Sequence, residues 1–137
     1  MRIIALDLGQ KRVGVAMSDA LGIIAQGLDT IKRENIDSLK EIIEENDVTE
    51  IVVGLPLNMD GTEGPSAKNA LSFADELKKK YSISVKMWDE RLSTRFVERE
   101  MIKGDLSRNK RKSLSDKLAA VAILQNYLDS RRQSNVS

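Results

Sequence analysis

The chain opens on an unbroken apolar run, Ile3-Ile4-Ala5-Leu6, which stops at Asp7. A strand apolar on both faces belongs in the middle of a sheet covered by helices. RVGVAMS (12–18) predicts a second strand, and the four residues separating it from Asp7 predict an antiparallel hairpin. After a turn over 19–22, a third strand over roughly 23–31 completes a meander. The period then lengthens. In IDSLKEIIEEN, Ile36, Leu39, Ile42 and Ile43 share one helical stripe and acids take the other.

EIVVG (50–54) predicts a short buried strand, followed by a long loop, GLPLNMDGTEGP. Ser66 is placed to cap a helix running to about residue 80, with Ala67, Ala70, Leu71, Ala74 and Leu77 facing inward. A fifth strand is expected over 83–88. A helix over about 93–103 should end at Gly104, a basic loop should span 104–113, and a last helix should run over about 114–130. The tail 131–137 is expected to fray. The element order is βββαβαβαα. It describes one α/β domain over 1–130, a mixed sheet with parallel crossovers and helices on both faces. Ligands of such sheets collect at the carboxyl ends of strands.

Composition narrows the chemistry. The chain has 137 residues and neither Cys nor His, which excludes disulfides and Cys/His zinc sites. No signal peptide or membrane-spanning run is evident, so a cytoplasmic, membrane-free location is expected. Residues 1–68 carry 7 Lys/Arg against 12 Asp/Glu, whereas residues 69–137 carry 15 against 9. Much of the basic excess lies between Arg91 and Lys117. A basic surround beside carboxylates suits a polyanionic substrate, although a solvated helix face and loop would look the same.

Three acids mark the best local signals. Asp7 ends the first strand, Glu90 sits in WDERLST and Asp116 in SDKLAAVAIL. If they converge, they offer a hard, oxygen-lined site for Mg²⁺ or Mn²⁺. Each also has a plain structural reading. Asp7 with Gly9 suits a hairpin turn, Glu90 suits a surface ion pair with Arg91, and Ser113 with Asp116 has capping-box spacing at a helix start. Strand alternation turns Asp89 and Glu90 to opposite faces, so only one of them can join Asp7. Gly9, Lys11 and Arg12 are placed to meet a phosphate. Arg108, Lys110, Arg111 and Lys112 could clamp a nucleic-acid backbone as a mobile loop, and Asn58 could reach a substrate or cap the following helix. Low aromatic content argues against recognition by base stacking.

Together and in order, DLGQKRVGVAMSD, GLPLNMDGTEG, DERLST and SDKLAAVAIL resemble the YqgF family, also called RuvX, of Holliday junction resolvase-like and pre-16S ribosomal RNA nucleases. The resemblance spans essentially the whole chain. It implies a ribonuclease H-like fold with a five-stranded mixed sheet in order 3-2-1-4-5. It also implies that Asp7, Glu90 and Asp116 are the catalytic metal ligands of a phosphodiester hydrolase using Mg²⁺ or Mn²⁺, in a two-metal mechanism. Arg91 joins the expected substrate contacts. The implied partners are pre-16S rRNA or branched DNA, and the ribosome or its precursors, with the chain acting as monomer or homodimer. Two other classes stay open: an actin-like ATPase half, and a non-catalytic nucleic-acid-binding assembly factor.

Overall fold

In the computed structural model, residues 1–91 and 108–135 are described, with side chains over 1–91 and 117–131. The apolar opening run becomes β1 (Arg2–Leu8), which pairs antiparallel with β2 (Arg12–Ser18). β2 pairs antiparallel with β3 (Ala25–Lys32). On its other side β1 pairs parallel with β4 (Val48–Leu55), and β4 pairs parallel with β5 (Ser84–Asp89). The sheet order is β3-β2-β1-β4-β5, as the family resemblance implies. β3 starts two residues later than expected because Asp19 Oδ1 accepts from the backbone N–H groups of Ile23 (2.7 Å) and Ile24 (3.2 Å), holding both in the turn.

Strand alternation divides the core into two layers. Ile4, Leu6, Ile51 and Val53 pack against Leu39 of α1 (Leu39–Glu45) and Ala70, Ala74 and Leu77 of α2 (Pro65–Tyr81). A 3-10 segment, Arg33–Ser38, leads into α1 and takes up the first part of the expected helix. Ile3, Ala5, Ala16 and Val52 face the opposite way, against Ala120, Ile123, Leu124, Tyr127 and Leu128 of α3 (Arg108–Asn135). Truncating a core residue such as Leu124, which is fully buried, to Ala should cost about 2–5 kcal/mol.

Three expectations change. Ser66 does not cap α2: Gly64 holds the N-cap position, Pro65 follows in the first turn, and there is no side-chain cap bond. Proline fits there because the first helical N–H groups lack intrahelical acceptors in any case. The basic stretch 108–113 is helix, not loop. No Gly or Pro interrupts the chain after Gly104, and Lys and Arg are good helix formers, so the helix of the apolar run extends back through them. At its other end α3 continues to Asn135, across most of the stretch in which fraying is expected. The helix expected over 93–103 lies outside the described residues. Among the described residues, no helix is long and apolar enough to cross a membrane.

Candidate active site at the strand ends

β1, β4 and β5 are mutually parallel neighbours, so their carboxyl ends open on the same edge of the sheet. Asp7 lies one residue past the last β1–β4 pair, Leu6 with Val53, and by alternation shares the α3 face with Ile3 and Ala5. Glu90 follows β5 directly, and its N–H donates to the Leu55 carbonyl at 3.2 Å, carrying the β4–β5 ladder one residue further. By alternation Glu90 belongs with Trp88, which also packs in the α3 layer. The two acids therefore meet across the end of β4.

Their side chains are hydrogen-bonded to each other. Burial, and then the adjacent Asp7 carboxylate, push the Glu90 carboxyl up to about 9. Two carboxyl groups in contact and partly out of water cannot both carry charge cheaply, so at neutral pH Glu90 keeps its proton. The cost of this arrangement would be relieved by a cation in place of the proton. Oxygen donors without imidazole or thiolate are the set that Mg²⁺ and Mn²⁺ prefer.

Asp116 lies about two turns inside α3, because the helix starts at Arg108. That removes the helix-start capping alternative for it. Its position is one turn before Ala120, which is fully buried against the sheet, while its own side chain lies outside the described residues. Among the described residues no group of three or more acidic, His or Cys side chains gathers. The structure thus joins Asp7 and Glu90, and puts Asp116 on the helix covering their face.

The remaining expected residues fall around this edge. Gly9 N–H donates to the Arg12 carbonyl at 2.9 Å, and a Cβ on Gly9 would stand 2.8 Å from that oxygen. Closure of the hairpin therefore suffices to require glycine at position 9. Lys11 and Arg12 are exposed in this hairpin, just past the end of β1. Arg91 pairs with Asp89 rather than Glu90: its Nε donates to Asp89 Oδ2 at 2.9 Å and its Nη2 to the same oxygen at 2.6 Å. Arg91 holds the Asp89 carboxyl below its ordinary value. Asn58 serves its own turn, with Nδ2 donating to Thr62 Oγ1 at 2.9 Å and its backbone N–H to the Thr62 carbonyl. Arg108, Lys110, Arg111 and Lys112 occupy the first turns of α3.

Sequence reasoning missed two participants. Asp89, which strand alternation turns away from Asp7, fixes Arg91. Gly54, which the sequence marks only as the end of a strand before a loop, lies by alternation along EIVVG on the face of Asp7.

A five-stranded mixed sheet in this order, with acids meeting at its central strand ends, defines a ribonuclease H-like α/β protein. Solved structures agree on the fold. Thermus thermophilus RuvC bound to a Holliday junction superposes with TM-score 0.56 at 14% identity, over 96% of each chain. A Fowlpox virus resolvase with Holliday junction DNA gives 0.58 at 13% identity, over 96% of this chain and 99% of that one. The chain belongs to the RuvX family, described as Holliday junction resolvase, which matches residues 1–130. It is 53% identical to a protein of Thermoanaerobacter pseudethanolicus named "Putative pre-16S rRNA nuclease", over 96% of this chain and 99% of that protein. A protein of the same name from Clostridium beijerinckii is 50% identical, over 94% and 96% respectively.

Proposed function

We propose that this chain is a divalent-metal-dependent nuclease that hydrolyses phosphodiester bonds of pre-16S ribosomal RNA, at its 5′ end, during ribosome assembly. The observation carrying the proposal is the direct contact of Asp7 and Glu90 at the ends of parallel neighbours. Relatives at about half identity and nearly full coverage supply the RNA, through their name.

In this reading Asp7, Glu90 and Asp116 hold Mg²⁺ or Mn²⁺. Two such ions, when bound, would supply Lewis acidity that lowers the pKa of water and offsets charge on the leaving oxygen. Glu90 must give up its proton for the site to load. With no histidine, the proton of the attacking water passes to a carboxylate, to the substrate phosphate or to solvent. Lys11 and Arg12 neutralise phosphate beside Asp7. The cations at the start of α3 meet the nucleic-acid backbone from a helix rather than from a mobile loop.

The test is cleavage of a pre-16S RNA end and of a synthetic four-way junction side by side, with Mn²⁺ or Mg²⁺ and an Asp7→Asn control. Metal-dependent cutting of the RNA alone supports the proposal. Cutting of the junction alone replaces it with the resolvase reading, which the family description favours. Cutting of neither would favour a binding factor without catalysis.

A further inference from the structure

We infer that Gly54 is a positioning residue: the side chain it lacks leaves the space in which the Glu90 carboxyl group reaches Asp7. The inference rests on the metal-ligand reading of those two acids and extends it to a residue of the neighbouring strand. Gly54 is buried in β4, paired in register with Trp88 of β5. A Cβ built on it would lie 2.6 Å from Ile123 Cδ1 and 2.8 Å from Glu90 Cδ, and nearer still to Glu90 Oε1. A Cβ atom does not tolerate such approach, so one side must move.

What would move distinguishes Gly54 from other glycines of the sheet edge. At Gly9 the obstacle is the backbone oxygen of Arg12, and at Gly61 a φ of +87° itself disfavours a side chain. At Gly54 the backbone is not left-handed, and the obstacles are the ends of two flexible side chains. Alanine there leaves the strand able to form. It fills the place occupied by the carboxylate. The damage therefore falls on the position of Glu90 rather than on the ladder, where Leu55 still accepts from the Glu90 N–H.

Ile123→Val removes the second obstacle and isolates the first. In that background the nearest obstacle left to Gly54→Ala is the Glu90 carboxyl group. Crystal structures of the two metal-free proteins should show the Glu90 carboxyl group against Asp7 in Ile123→Val, and displaced with that contact broken in Gly54→Ala/Ile123→Val. Calorimetric titration with Mn²⁺ alone should give at least about tenfold weaker binding for the double variant, the range seen when groups orienting metal ligands are lost. Adding Glu90→Asp, one methylene shorter, should recover part of the affinity. A merely structural role would predict no such rescue. A carboxyl group that stays against Asp7, or one that moves without changing Mn²⁺ affinity, overturns the inference. If Ile123→Val itself binds no Mn²⁺ while the carboxyl group still moves in the double variant, the metal reading fails and the seat at Gly54 stands. Should the double variant not fold, adding Glu90→Ala must restore folding by vacating the space; failure to do so also overturns the inference.

Discussion

β4 carries one glutamate near its amino end and helps to seat another at its carboxyl end, both on the α3 face. Gly54 lies four residues along the strand from Glu50, roughly 13 Å away. Glu50, 9% exposed, is surrounded by donors. Its Oε1 accepts from Tyr127 Oη at 2.9 Å and pairs with Lys86 Nζ at 3.0 Å, while Oε2 pairs with Arg131 Nη1 at 3.3 Å. Both cations also stand over the Tyr127 ring, 5.8 Å and 5.6 Å from its centroid. Glu90 instead faces Asp7. One carboxylate is compensated inside the fold, and ties α3 to the sheet. The other is set against Asp7, and burial and that neighbour raise its carboxyl to about 9. A strongly perturbed acid at a strand end is the kind of group that functional sites use, which makes Glu90 the candidate and Glu50 the tie.

The largest way to break the comparison is to remove the acids in turn. Glu90→Gln or Asp7→Asn should lower cleavage more than about 100-fold, beyond the loss expected from altering a group that merely orients a ligand, while circular dichroism stays unchanged. Glu50→Gln should do the opposite. It should leave cleavage per folded molecule intact and lower stability by about 1–3 kcal/mol in denaturant titration, because donors at Tyr127 and Lys86 lose their charged acceptor. Equal loss of activity in both variants would dissolve the distinction.

The pH dependence sharpens it. The folded protein holds a proton on Glu90 up to about 9, whereas the unfolded chain releases it near the ordinary carboxyl value. Between those points the native state binds more protons, so this group's contribution to stability falls as pH rises. Metal-free protein should therefore lose stability between about pH 5 and pH 9, read from thermal melts, and Glu90→Gln should flatten that slope. Mn²⁺ should bind more tightly as pH rises across the same window, because it competes with the proton. The smallest effect belongs to Arg91→Gln. Its pair with Asp89 is about 38% exposed, so stability should change by only about 0–1 kcal/mol.

Much of the fold was legible because burial imposes its period on the chain. β2 was bounded to the residue by RVGVAMS, and the two parallel crossovers followed from strands alternating with helices. The start of α3 was misplaced because local polarity at 108–113 looks like loop, whereas the helix draws its stability from the apolar face further on. Asp7 and Glu90 were both identifiable, each at the end of an apolar strand. Their contact was not visible, since 82 residues of intervening chain carry no record of which strand ends become neighbours.

The sequence by itself determined the strands, the apolar faces and the hard-oxygen character of any site, since those follow from period and residue type. Only the tertiary structure decided that Glu50 would be set among Tyr127, Lys86 and Arg131 and Glu90 against Asp7. It also turned Gly54 from a loop boundary into an open space beside a carboxylate. Charge compensation and free volume depend on what lies within a few ångströms in three dimensions, and at these positions the neighbours come from other strands and from α3.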